Sequence, residues 1–204
     1  MGVKTGRGSP FFDLSACGIS SLLVTEREGL PILRSSHGNE RVHLGLGSNV
    51  GDKRANLVQA VRLLAADVRI VAASSLYRTA PVGFIDQDWF LNVVLCVETQ
   101  LHAHQLLAKV REIEQQLGRV RRIRDGPRSI VIDILLWGEL VCSSDRLTIP
   151  HLSLHARRFV LAPLAEIDPQ VVHPILGASM AELLAALGPG QAVEVECGPE
   201  WASD

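Results

Sequence analysis

Aromatic rings are scarce in this chain, which carries five Phe, three Trp and one Tyr among 204 residues. Segments 42–46, 93–97 and 130–134 each read as a strand and hold no Phe, Tyr or Trp, whereas an RNA-binding sheet stacks bases on aromatics that project from such strands. Charge of one sign is lacking too. A formal net charge of −2 gives a long polyanion no general attraction, so no nucleic-acid partner is expected. The four cysteines, Cys17, Cys96, Cys142 and Cys197, are scattered and form no C-x-x-C pair. Neither a structural zinc site nor a disulfide framework is expected from them, and a reducing cytoplasm is the expected compartment. No apolar run approaches the ~18 residues of a membrane helix, so no membrane partner is expected.

What is present is an apolar content of 47% arranged in alternating elements. Residues 1–41, rich in Gly, Ser and Pro, show no clear period and lack the basic start and apolar core of a secretory signal. They read as a poorly ordered N-terminal extension. Residues 42–46 read as a strand, closed by Gly47-Ser48-Asn49. Behind Asp52, a fair N-cap, Leu57, Ala60, Val61 and Leu64 recur at helical spacing. Residues 68–78 and 92–98 read as the second and third strands, joined by a nine-residue connection, 81–89, that is too long for a tight hairpin. Leu106, Val110, Ile113 and Leu117 mark a second helix that Gly118 ends. A fourth strand covers 129–137, and Pro150 is expected to start a short helix through Leu161. This βαββαβ order predicts an α+β, ferredoxin-like sandwich with helices packed on a mainly antiparallel sheet. The domain is expected to span 42–187, followed by a C-terminal tail, 188–204.

The chemistry concentrates between Gly118 and Asp133. Arg119, Arg121, Arg122, Arg124 and Arg128 fall within ten residues, and from Arg119 to Arg158 eight arginines face only Asp125, Asp133, Glu139 and Asp145. A local cationic site suits a small anion better than an extended polymer. The arginines alone could equally be a solvated loop. Asp133 weighs against that, because Ile130-Val131-Ile132 and Ile134-Leu135-Leu136-Trp137 surround it with apolar residues. A charge in such a run needs a partner or a ligand, and a hard divalent cation with phosphate fits both halves of the segment.

Several ordered motifs give the chain a family resemblance. They are Gly45-Leu46-Gly47-Ser48-Asn49-Val50-Gly51-Asp52, Ser75-Leu76-Tyr77-Arg78-Thr79, Asp88-Trp89-Phe90-Leu91-Asn92, Gly118-Arg119-Val120-Arg121, Gly126-Pro127-Arg128-Ser129, Ile132-Asp133-Ile134-Leu135-Leu136 and Leu147-Thr148-Ile149-Pro150-His151. In this order and at this spacing, the sequence from about His43 to Leu187 resembles the 6-hydroxymethyl-7,8-dihydropterin pyrophosphokinases. These folate-pathway enzymes move a pyrophosphoryl group from ATP to a pterin alcohol.

The resemblance implies a pterin slot between the rings of Phe90 and Phe159, with edge contacts from Thr79, Asn92 and the backbone around Val82. Each ring read alone could be core, and Asn92 could instead cap a strand end. For ATP the resemblance implies Glu114, Arg119, Arg122, Arg128, Ile134, Arg146, Thr148, His151 and Arg157. Glu114 borders the buried face of its helix and could accept from ribose hydroxyls or pair with a nearby arginine. His151 and His155 share i, i+4 spacing, but no third ligand suggests zinc; His151 reads as a phosphate donor and His155 as surface. Arg119, Arg128 and Asp133 are the implied catalytic residues, Asp133 also being the metal ligand. A monomer that takes only ATP and the pterin as partners is expected.

The resemblance further implies two Mg²⁺ ions on an Asp-x-Asp pair of the fourth strand, where i and i+2 side chains share one face. This chain departs from that pattern: the position two before Asp133 is Val131, which cannot ligate a metal, and Asp125 stands where the family commonly has tryptophan. Two readings stay open, a working pyrophosphokinase and an impaired homologue that binds pterin and nucleotide. Deleting residues 1–40 should leave both the melting temperature and ligand binding essentially unchanged, because no periodic apolar pattern ties them to the domain. A thermal unfolding scan of the shortened chain checks this, a large drop counting against it.

Overall fold

Strand β1, Glu40–Ser48, is the spine of the sheet because it has hydrogen-bonded neighbours on both sides. The computed structural model describes residues 40–119, 126–188 and 190–203, within a unit bounded by Ser36 and Asp204. Of the expected extension only Glu40 and Arg41 are among the described residues, and they open β1. After β1 come α1 (Lys53–Leu64), β2 (Arg69–Ala73), β3 (Leu76–Thr79), β4 (Phe90–Thr99), α2 (Ala103–Gln116) and β5 (Val131–Trp137). A small hairpin, β6 (Cys142–Ser143) and β7 (Thr148–Ile149), leads to α3 (Arg158–Ile167), α4 (Met180–Ala186) and β8 (Val193–Cys197). The main sheet runs β5-β1-β4-β3-β8, with β2 also paired to β4, and its ladders are antiparallel. This is the α+β sandwich that the sequence predicts, with three strands rather than two between α1 and α2.

The two faces of the sheet are closed differently. Asp52 caps α1 by accepting from Ala55 N–H at 3.0 Å, and Leu57, Ala60, Val61 and Leu64 form its buried stripe. That stripe joins Leu106, Val110 and Ile113 of α2 over Val42, Leu44, Leu46, Ile132 and Ile134. On the opposite face α3 and α4 bring Val160, Leu161, Leu164 and Met180 onto Val94, Leu135 and Leu136. His43, 2% exposed, lies 3.2 Å from Asp168 just past the end of α3 and ties that helix to β1. Beyond the reach of this second core lie Thr79, Phe90, Asn92, Val131 and Asp133. Alternation along β4 and β5 and the close approach of Asn92 and Val131 to Gly47 put them on this same face.

Three expectations are corrected. Residues 68–78 are two strands, not one, because Ser74 and Ser75 take their hydrogen bonds outside a regular ladder. Ser74 Oγ accepts from Val94 N–H, while Ser75 N–H and Oγ–H both donate to the Glu166 carboxylate. Pro150 does not start a helix: the His151 N–H donates to Leu135 O at 2.9 Å and holds the chain against β5, so only one 3₁₀ turn, Leu154–Ala156, precedes α3. Nor are residues 188–204 an appendage. They supply β8, which pairs with β3, and Trp201, which is fully buried in the first core and donates its indole N–H to Ser74 O at 2.9 Å. Sequence pattern could not reveal this, since β8 has exposed middle residues and its partner lies far back in the chain.

Trp201→Ala removes a fully buried ring and orphans the Ser74 carbonyl at the strand break. It should cost roughly 3–5 kcal/mol of stability. A urea unfolding curve with an unchanged midpoint would contradict the structural role given to this residue.

Candidate active site

The free edge of β5 forms the floor of a cleft of about 340 Å³. Its walls are α2 and the segment around β6 and β7, and its lining includes Glu114, Arg119, Asp133, Ile134, Arg146, Thr148 and His151. These are seven of the residues that the resemblance implies for nucleotide and metal, drawn from four parts of the chain. Val110, Ile132 and Leu147 give the cleft an apolar wall. Such a mixture suits a flat heterocycle joined to a charged tail.

Glu114 is 3% exposed and accepts from the Ile132 N–H at 2.8 Å, and Arg119 donates to the same carboxylate oxygen. Burial pushes its carboxyl above the usual range, against the pull of the Ile132 N–H and Arg119, with the Asp133 charge adding to the rise. Of the two readings of Glu114, the pair with an arginine is the one found. His151 Nδ1 accepts from Ser153 N–H at 3.3 Å, which leaves Nε2 to carry the proton. Burial holds this imidazole below its ordinary range, only partly offset by Asp133, and Arg157 lowers it further. An Nε2–H donor in this cleft, which Arg111, Arg119 and Arg146 also line, suits a phosphate oxygen. Arg157 lies over the Phe159 ring at 5.6 Å, and Arg128 over the Phe90 ring at 5.8 Å. Arg122 lies outside the described residues.

Of the residues that the resemblance implies for the pterin, Thr79, Phe90 and Asn92 stand together on β3 and β4. Asn92 is 8% exposed and donates to Thr79 Oγ1 at 2.6 Å, so its amide is held by a neighbouring strand and does not cap a strand end. Phe90 is half-buried beside it. Phe159, on α3, packs partly against the second core. Val82 is 53% exposed, in the connection between β3 and β4. Lack of a side chain at Gly47 matters here: a Cβ at this position would stand 2.5 Å from Asn92 Oδ1 and 3.2 Å from Val131 Cγ1.

Asn49 was not among the residues picked out from sequence, yet it joins the two halves of the site. It is 2% exposed. Its Oδ1 accepts from Arg128 N–H at 2.8 Å, and its own N–H donates to Arg128 O at 3.1 Å. Its Nδ2 donates to Gln87 Oε1 at 2.9 Å and Asp88 O at 3.2 Å. Lys53 adds a bond from Nζ to Trp89 O at 2.8 Å. The Gly-Ser-Asn turn after β1 was the available signal, but its partners lie 79 and 39 positions away.

The donor set can be tested against the two ions that the resemblance implies. Asp133 is half-buried beside the cleft and offers the one strand carboxylate. Carboxylate, substrate phosphate and water make a fitting Mg²⁺ shell, so one ion fits. Val131, the next residue on that face, presents methyl groups. Among the described residues no group of three or more His, Cys, Asp or Glu could hold a metal. Among the described residues, the strand ligand for a second ion is therefore missing.

Comparison with known proteins is consistent with this geometry. The family model for 7,8-dihydro-6-hydroxymethylpterin-pyrophosphokinase matches residues 43–169. A 2-amino-4-hydroxy-6-hydroxymethyldihydropteridine pyrophosphokinase of Methylorubrum extorquens is 49% identical over 158 residues, 76% of this chain and 99% of that protein. One of the same name from Bacillus subtilis is 44% identical over 135 residues, 65% of this chain and 81% of that protein. The Folic acid synthesis protein fol1 of Schizosaccharomyces pombe is 40% identical across 77% of this chain, which spans only 22% of its length. Among solved structures, wild-type HPPK-DHPS of Plasmodium falciparum superposes with a TM-score of 0.60 at 16% identity, over 74% of this chain and 45% of that one. That likeness bears on the fold alone.

Asn49→Ala removes three side-chain hydrogen bonds from a buried position. It should cost about 2 kcal/mol of stability and speed amide exchange at residues 84–89 and at Arg128 more than in the core strands. Uniform exchange changes across the whole sheet would refute a local tie.

Proposed function

This chain belongs to the 7,8-dihydro-6-hydroxymethylpterin-pyrophosphokinase family, and from that premise we propose that it transfers pyrophosphate from ATP to 6-hydroxymethyl-7,8-dihydropterin in folate biosynthesis. The hydroxymethyl oxygen attacks the β-phosphorus, the bond from that phosphorus to the α,β-bridging oxygen breaks, and AMP leaves; the hydroxyl proton passes to solvent. The observation that carries the reading is the cleft on the β5 edge, where Glu114, Arg119, Asp133, Thr148 and His151 converge.

In this reading Phe90 and Phe159 stack the pterin, and Thr79, Asn92 and the backbone near Val82 read its edge. Ile134 and the apolar wall take the adenine, with Glu114 at the ribose once Arg119 turns to phosphate. Arg119, Arg122, Arg128, Arg146, Arg157, Thr148 and His151 bind phosphate oxygens, the positioning and charge neutralisation on which phosphoryl transfer depends. Mg²⁺ accompanies ATP at Asp133, where it would neutralise charge on the transferred group. The free state of Cys96, Cys142 and Cys197 is in keeping with a cytoplasmic protein, and the reading takes it as a monomer.

Val131 favours a second reading, a homologue that binds both substrates and turns over poorly. One assay separates the two. With ATP, Mg²⁺ and the pterin alcohol, the unmodified chain should release AMP in step with pterin pyrophosphate. Asp133→Ala should lower that rate by ~10³ or more, and Phe90→Ala should raise the pterin KM roughly tenfold through lost stacking. Binding of both ligands without AMP release would favour the impaired homologue; binding of neither would reject the assignment.

A further inference from the structure

The position that a second cation would need on β5 is filled by hydrocarbon. Val131 and Asp133 are two apart on one strand, opposite Gly47 and Gly45 of β1. Val131 Cγ1 lies 3.2 Å from the point where a Cβ on Gly47 would stand, so the methyl is seated against the neighbouring strand. The nearest strand carboxamide, Asn92, is tied to Thr79. A hard divalent cation wants about six oxygen donors and gives up water reluctantly, and Val131 offers it none.

A positive charge already serves this face. Arg128 is held by both of its backbone hydrogen bonds to Asn49, and its guanidinium lies 5.8 Å from the centre of the Phe90 ring. Phe90 is two residues before Asn92, the residue paired with Gly47, so the cation stands over the same part of the sheet as Val131. Arg128 Nε also donates to Gly126 O at 3.1 Å, so the backbone of its own turn orients the side chain.

We propose that this chain binds one divalent cation, not two, with each nucleotide, and that Val131 sets the number. The proposal rests on the nucleotide reading of the cleft. The side chain at position 131 decides whether the strand face presents one oxygen ligand or two, whereas the pterin contacts through Phe90, Asn92 and Phe159 do not involve it.

Counting ions tests this without reference to turnover. Mn²⁺ is dialysed against the full chain with the α,β-methylene analogue of ATP kept below the protein concentration, and bound Mn²⁺ is read by electron paramagnetic resonance. The expected result is one ion per bound nucleotide for the unmodified chain and two for Val131→Asp. Val131→Asn, which adds an oxygen without a second negative charge, should bind a second ion more weakly than Val131→Asp and covers the case in which the aspartate variant does not fold. Two ions per nucleotide in the unmodified chain would overturn the proposal, and a count that fell to one in Asp125→Asn would identify the missing ligand. A count of one in folded Val131→Asp and Val131→Asn would overturn it as well. If the analogue itself fails to bind, the nucleotide reading falls with the proposal, an outcome distinct from a wrong count.

Discussion

The N–H of Ile132 points away from β1, at the edge of the sheet, and Glu114 reaches from α2 to accept it. A bare edge is normally a hazard, open to pairing with another chain. Here the edge is satisfied from within the domain by a side chain. The arrangement fixes the distance between α2 and β5 and keeps the cleft open between them. Because the carboxylate is buried, it must keep a partner whenever it is charged, and Arg119 provides one. The cleft thus depends on a single acidic residue placed where the apolar stripe of α2 ends.

The neighbouring face around Thr79, Phe90 and Asn92 depends on a different kind of support. Its residues stand on the part of the sheet that α3 leaves uncovered, and the connections above them are held by polar ties to Asn49 and Lys53. The two sides meet at that asparagine: its Oδ1 holds the backbone of Arg128, and its Nδ2 holds Gln87 and Asp88. A shift in one connection therefore strains bonds in the other.

Much of this was legible in the sequence because it depends on local order. Helical spacing at Leu57, Ala60, Val61 and Leu64, the Gly118 stop and the apolar strands each reflect a period of a few residues. Asp133 was conspicuous because a charge inside a run of Ile and Leu is costly. What could not be read depends on distant partners. Ser75 leaves the ladder because Glu166, 91 residues on, accepts from it. Trp201 is held by the bond from its indole N–H to Ser74 O, 127 residues back. Glu114 could be narrowed to two partners, and of these the structure holds the arginine. The roles of Phe159 and Asn92 had bland alternatives for the same reason, since burial and neighbours are properties of the folded chain.

The sheet is completed from both directions along the chain, and this has a consequence for its synthesis. Residues as far as Trp137 can assemble β5, β1 and β4 with α1 and α2 over them, while β3 has a neighbour on only one side until Val193–Cys197 arrives. A nascent chain thus presents an open strand margin, and a hole where Trp201 will sit, during the time needed to translate nearly sixty further residues. In that interval the half-finished domain is a target for chaperones and proteases, and arrival of the final strand closes the margin and fills the hole together.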